Sequence, residues 1–217
     1  MKLSNRLLKI CDLIDNVNSL ADVGCDHGLV VIELAKRGLV KELWAIDNKM
    51  SPLNKAIQNI NKNEYNNKIR PLLSDGLLAL NINPEAIIIA GMGSDLIIQI
   101  MINSFEKFTG AKYIILQPQT KVSHLRYWLY SIGFEIIEDI LISDNDIYYP
   151  ILKIVFSNKY CYLNRLQMLF GFNYQHLNNY DWIMYNLNKI NFYHNHYDLF
   201  AYAKNIIERR NNDVIKK

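Results

Sequence analysis

Five short and almost wholly apolar segments recur along the first 120 residues, and each ends on a glycine or a polar residue. Leu20-Ala21-Asp22-Val23 ends at Gly24, and Leu43-Trp44-Ala45-Ile46 ends at Asp47. Ile69 to Leu73 ends near Asp75-Gly76, Ala86 to Ala90 ends at Gly91, and Tyr113 to Leu116 ends at Gln117-Pro118. Helical patterns lie between them: Leu29 to Lys36, a helix opened by Ser51-Pro52, Ser94 to Phe105, and Thr120 to Tyr130. Ahead of the first strand, Ser4 can cap a helix that carries Leu7, Ile10, Cys11 and Ile14 on one face. Two more strands, near Phe134–Ile142 and Tyr149–Phe156, flank the polar turn Ser143-Asp144-Asn145-Asp146 and predict a closing hairpin. Continuously apolar strands alternating with helices require a parallel sheet buried on both faces. The fold class is therefore α/β, with a mostly parallel seven-stranded sheet. In such a sheet the ligand lies beyond the carboxyl ends of the strands. Gly24, Asp26, Asp47, Asp75, Gly91 and Gln117 all fall there.

The pattern stops after Phe156. Residues 176–210 have helical spacing, with a break near His194-Asn195-His196, which predicts a hairpin of two helices. Charge divides at the same place. Residues 158–217 carry eight Lys and Arg against four Asp and Glu, whereas residues 1–157 carry 16 against 17. The last 60 residues also hold 13 of the 25 aromatics and 3 of the 5 histidines. Two functional parts are expected: residues 1–157 for catalysis and residues 158–217 as a basic, aromatic extension.

Other composition narrows the class. No apolar run approaches the ~18 residues of a membrane helix. The N-terminus has no signal-peptide core, so a cytoplasmic, membrane-free protein is expected. Cys11, Cys25 and Cys161 have no paired spacing, which argues against a disulfide framework and against a zinc site; no metal is expected.

Asp22-Val23-Gly24-Cys25-Asp26-His27-Gly28 follows a strand and opens a helix, where glycines let the backbone approach a ligand. It is not G-x-G-x-x-G, so the dinucleotide fingerprint fails and a nicotinamide oxidoreductase is disfavoured. The stretch resembles the D/E-x-G-x-G-x-G loop of S-adenosylmethionine (SAM) methyltransferases, with Asp26 at the second glycine. About 20 residues on, Asp47 can accept hydrogen bonds from both ribose hydroxyls and would repel a 2′-phosphate; capping the next helix is its other reading. Asp75 can accept from an adenine amino group with Leu77 over the ring, or cap a turn. Gly91-Met92-Gly93 leaves room for a bulky base or the sulfonium at the sheet's centre. Arg126, in the stretch His124–Leu129 of the helix Thr120 to Tyr130, can contact phosphate or belong to a solvated face.

The set Leu3-Ser4-x-Arg6-Leu7, Asp22-x-Gly24-x-Asp26-His27, Asp75-Gly76-Leu77, Ile89-Ala90-Gly91-Met92-Gly93, Leu116-Gln117-Pro118 and Leu125-Arg126-x-Trp128-Leu129 resembles the bacterial tRNA (adenine(22)-N(1))-methyltransferase family, TrmK. The likeness covers roughly residues 2–156, and the tail resembles that family's coiled-coil extension. Ser94, which could cap the helix it starts, stands where a third glycine is usual, and Gln119 where asparagine usually follows Gln-Pro. The resemblance implies a Rossmann-like class I methyltransferase domain, SAM as donor, and N1 of an adenosine in the tRNA D-arm region as acceptor. It implies cofactor contacts from Arg6, Asp22, Gly24, Cys25, Asp26, His27, Asp47, Asn48, Asp75, Gly76, Ala90 and Gly91. The reacting centre would be Asp26, Gly91, Met92, Gln117 and Pro118. Contacts to tRNA would come from Gln119, His124, Arg126, Lys189, Lys204, Arg209 and Arg210, with a monomer as the working unit.

Methyl transfer from a sulfonium is an in-line displacement, so alignment and exclusion of water are the main tasks. Adenine N1 is a neutral base and the product is cationic, so a carboxylate nearby favours the transition state. Asp26 is the first candidate for that role, or else it binds the methionine amino group. His27 could hold the methionine end, and Gln117 the adenine edge. The target nucleotide must leave its stack. Basic residues of the tail, including Lys216 and Lys217, would neutralise phosphates, while aromatics such as Tyr180, Trp182 and Phe200 either stack on bases or pack the hairpin. Two other readings remain: a methyltransferase for other RNA or for protein, and an RNA-binding protein that keeps the SAM fold as a scaffold.

Overall fold

A computed structural model of the chain describes residues 3–145, 147–160, 163 and 165–170. Backbone contacts divide the chain into one unit over Met1–Tyr162 and another over Leu163–Lys217. In the second unit the described element is the short helix α7 (Arg165–Phe170). The helical hairpin expected over 176–210, and with it Lys189, Lys204, Arg209, Arg210, Lys216 and Lys217, lies outside the described residues.

Five strands form the parallel sheet of the first unit: β1 (Val17–Val23), β2 (Val40–Asp47), β3 (Ile69–Leu73), β4 (Ala86–Met92) and β5 (Tyr113–Pro118). An antiparallel hairpin, β6 (Phe134–Asp144) and β7 (Ile147–Phe156), completes a seven-stranded sheet in the order β3-β2-β1-β4-β5-β7-β6. The expected architecture is present: a Rossmann-like α/β sheet, parallel but for its last two strands. Ile87, Ile88 and Ile89 are wholly buried, as are Ile114, Ile115 and Leu116. Neighbouring residues of a strand point to opposite faces, so both faces of the central sheet are covered.

The covering helices are α1 (Asn5–Asp12), α2 (Leu29–Arg37), α3 (Met50–Lys62), α4 (Ser94–Asn103), α5 (Phe105–Gly110) and α6 (Val122–Ser131). Ser4 caps α1 as expected: its hydroxyl accepts the Leu7 N–H at 3.4 Å, and Ile10 and Cys11 turn inward. Pro52 lies in the first turn of α3, where its missing N–H has no intrahelical partner to lose.

The helix read from Ser94 to Phe105 is α4, and a further short helix that the sequence reading did not include, α5, follows it at once. The chain leaves helical geometry at Ser104 (φ −136°), whose carbonyl then starts α5 by accepting from Lys107 and Phe108. The break lets Phe105 lie edge-on to Phe134 at 6.1 Å and to Phe156 at 6.2 Å, while Phe108 is wholly buried. A straight helix would carry Phe105 and Phe108 along one unbroken axis; aromatic packing overrides that periodicity.

The hairpin is longer than the sequence suggests. The expected turn began at Ser143, but β6 continues to Asp144 and the chain reverses through Asn145 at φ 51°, a conformation asparagine tolerates. Leu116 pairs with Leu152, and β5 ends two residues later, whereas β7 began five residues before Leu152. The hairpin therefore stands about 10 Å taller than β5 at the carboxyl end of the sheet.

Candidate active site

A cleft of about 460 Å³ opens at the carboxyl ends of β1, β2 and β4. Gly24, Cys25, Asp26 and His27 form one wall, and Asp47 and Asn48 the next. Ala90, Gly91 and Met92 face them across β4, and Arg6 of α1 closes the mouth together with Gln119. Asp22 lies at the base. The sequence-predicted cofactor residues are thus brought together, except Asp75 and Gly76, which follow β3 one strand further out and do not line the cleft.

The loop after β1 is held by β2. The Ile46 carbonyl accepts from both Gly24 N (2.8 Å) and Cys25 N (2.9 Å). The Asp47 carboxylate continues this: Oδ2 accepts from Asp26 N at 3.2 Å and Oδ1 from Lys49 N at 3.0 Å. Asp47 is thus fixed in place at the cleft, with oxygen lone pairs left over for a diol. Asp26 adopts φ 49°, the conformation that the usual glycine would take, and its side chain is 69% exposed. His27 Nε2 lies 3.5 Å from Asp26 Oδ2, and Asn59 donates to the His27 carbonyl from α3.

Burial, and then the nearby Asp47 charge, push the Asp22 carboxyl up to about 7. Burial likewise raises the Cys25 thiol well above its ordinary value, so this cysteine stays protonated and acts as a small apolar wall.

Two glycines have specific physical reasons. Ala90 pairs with Gln117 and Met92 with Pro118, so Gly91 is an extra residue in the strand: a bulge, at φ 78°. The bulge turns the end of β4 toward the cleft, and a Cβ there would point between Arg6 and Gln119. Gly24 also has positive φ (76°), and a Cβ on it would come 2.1 Å from the Met92 methyl carbon. The close approach of these two loops narrows the cleft between β1 and β4.

Four expectations need correction. Arg126 does not face solvent or phosphate: its side chain is 1% exposed and its Nε and Nη2 donate to Asp139 Oδ2 and Oδ1, each at 2.9 Å. A guanidinium so paired belongs to the core. Gln117 is wholly buried and does not reach the adenine edge; its Oε1 accepts from Gly91 N (3.1 Å) and from Arg6 Nη1 (2.5 Å). Pro118 is buried beside it, as the bulge's partner. Leu77 is wholly buried and cannot cover a ring, whereas its neighbour Leu78 is 58% exposed. Ser94 does not cap α4. Gly93 holds the capping position, and the Ser94 hydroxyl donates to the Thr120 carbonyl.

His124 is exposed, 3.6 Å from Asp95, which Lys121 also pairs. Residues that sequence reasoning passed over include Lys49, Pro52 and Leu7 of the cleft lining, and Tyr149, whose ring lies 5.3 Å from the Arg6 guanidinium. Lys49 was within reach, two positions past Asp47. Tyr149 carried no local signal, since only the hairpin's height brings it to Arg6.

The chain's likenesses agree with this geometry. A family model described as a methyltransferase domain matches residues 3–152. The tRNA (adenine(22)-N(1))-methyltransferase of Bacillus subtilis is 30% identical over 153 residues, which cover 70% of this chain and 64% of the relative. The structure of M. capricolum TrmK in complex with S-adenosyl-homocysteine is 28% identical, covers 99% of this chain and 100% of its own, and superposes with a TM-score of 0.77. The crystal structure of the B. subtilis m1A22 tRNA methyltransferase TrmK shares the fold at a TM-score of 0.71 and 23% identity, covering 96% of this chain and 95% of its own. The Bacillus subtilis relative is a tRNA (adenine(22)-N(1))-methyltransferase, and the chain belongs to the methyltransferase-domain family.

Proposed function

We propose that this chain transfers a methyl group from SAM to N1 of adenosine 22 in tRNA. The carrying observation is the cleft itself: Asp47, fixed by two backbone N–H groups, faces the glycine bulge of β4 across the loop after β1. The name of the Bacillus subtilis relative supplies the acceptor. When bound, SAM supplies a methyl carbon on a sulfonium, open to displacement.

The residues present fit that donor. Asp47 accepts from the ribose hydroxyls, and the missing side chain at Gly91 leaves space at the reacting end. Asp75 remains the residue for the adenine amino group, reached from the exposed turn after β3. Asp26, exposed at the rim, stabilises positive charge that develops on the adenine ring. Gln119, exposed beside Gly91, contacts the target nucleotide directly, whereas Gln117 acts from behind by holding Gly91 and Arg6. Residues 1–157 carry this work, and the basic residues 158–217 grip tRNA through Lys189, Lys204, Arg209 and Arg210. The working unit is a monomer, and a tRNA substrate supports a cytoplasmic location.

The test is methylation of unmodified tRNA transcripts with labelled SAM, followed by mapping. Label at adenine 22 N1 is expected. Label on another base, or on protein, favours the second enzymatic reading. Absence of SAM binding by calorimetry rejects both and leaves an RNA-binding scaffold.

A further inference from the structure

Arg6 is held from three sides by residues of the sheet's last three strands. Gln117 of β5 accepts from Nη1, the Tyr149 ring of β7 lies against the guanidinium, and Asp144 Oδ2 at the end of β6 accepts the Arg6 backbone N–H at 3.3 Å. An arginine at a cleft mouth ordinarily samples many rotamers. This one has a planar cation stacked on an aromatic face and one donor spent on a buried acceptor. The remaining N–H donors of the fork are thereby aimed, and the cleft they border otherwise gathers acids: Asp22, Asp26 and Asp47. Lys49 also lines the cleft, with its backbone N–H on Asp47, and the His27 ring lies next to the Asp26 carboxylate. The Arg6 guanidinium lies beside Gly91, where a Cβ would come 3.8 Å from Nη1.

We propose that Tyr149 is a positioning residue, whose ring, with Gln117, holds the Arg6 guanidinium in place for the carboxylate of the bound methyl donor. This rests on SAM being that donor. Tyr149 touches neither donor nor acceptor. It acts by removing rotamers from Arg6 before the ligand arrives, so that less freedom is lost on binding.

The test uses the full chain and two ligands, S-adenosylhomocysteine and 5′-methylthioadenosine, which lacks the amino-acid group. Calorimetry on the wild type comes first. Failure to bind either ligand overturns the SAM reading itself. Tyr149→Leu is expected to weaken S-adenosylhomocysteine about tenfold and to leave methylthioadenosine unchanged, which also shows that the variant is folded. Tyr149→Phe keeps the ring and is expected to restore wild-type affinity. Three results would overturn the proposal: unchanged S-adenosylhomocysteine affinity in Tyr149→Leu, equal loss for both ligands, or a loss in Tyr149→Phe matching that in Tyr149→Leu. A defect confined to the KM for tRNA would assign Arg6 to a nucleotide phosphate and also reject it.

Discussion

Asp47 Oδ2 accepts the backbone N–H of Asp26 at 3.2 Å, so the carboxylate at the end of β2 and the loop after β1 form one rigid piece. The second oxygen holds Lys49 N at 3.0 Å. Asp47→Ala removes both acceptors together with the ribose contact. SAM affinity is expected to fall roughly 10- to 100-fold, read by calorimetry. Asp47→Asn, which keeps one acceptor oxygen, should fall between the two.

Asp22 gives a pH signature. Its carboxyl is raised to about 7 by burial and then by Asp47, so between about pH 4 and 7 the folded state holds a proton that the unfolded state has lost. Stability therefore declines as pH rises through that window. Asp22→Asn cannot ionise and should remove this slope. Chemical denaturation at several pH values checks it: the variant's curve should be flatter than the wild type's from pH 4 to 8. A parallel pair of curves would contradict the assignment.

Gly24→Ala meets two obstacles. The positive φ costs about 1–2 kcal/mol for any residue with a Cβ. The new carbon also meets the Met92 methyl, which sits at the end of a flexible side chain and can move. Denaturant unfolding should show the loss in the single variant. Adding Met92→Ala should recover the steric part and not the φ part.

Arg126→Ala leaves Asp139, 6% exposed, without its bidentate partner. A loss of about 3–5 kcal/mol is expected, read by thermal or denaturant unfolding. If the folded variant bound tRNA normally at low temperature, that would agree with a structural role; a selective loss of tRNA affinity at full stability would restore the phosphate reading.

The tail is tested separately. Replacing Arg209 and Arg210 with Glu should weaken tRNA binding, measured by titration at fixed salt, and leave SAM affinity unchanged. Loss of SAM affinity in that double variant would contradict a division of labour between residues 1–157 and 158–217.

The alternation of apolar segments made the five parallel strands legible, because strands buried on both faces need continuous apolar runs and the helices between them do not. Asp47 and Gly91 were legible for the same reason: a strand's carboxyl end is a defined place. Arg126 and Gln117 were misread because polarity alone does not separate a solvated side chain from a buried one with partners. Asp139, which pairs with Arg126, lies in a strand 13 positions away with nothing to mark it. The short helix α5 after Ser104 was not read because six residues carry little periodic signal, and the aromatic cluster of Phe105, Phe134 and Phe156 holds its start in place.

Arg6 meets Gln117 across 111 positions of sequence, and its backbone N–H meets Asp144 across 138. Contacts of such separation close long loops of chain, which costs entropy and needs distant segments to be in place together. The mouth of the cleft therefore assembles only once the hairpin has docked on β5. A chain emerging from the ribosome can form β1, β2 and the loop that holds Asp47 long before it can present Arg6, so competence for the methyl donor is a late event in the folding of this unit.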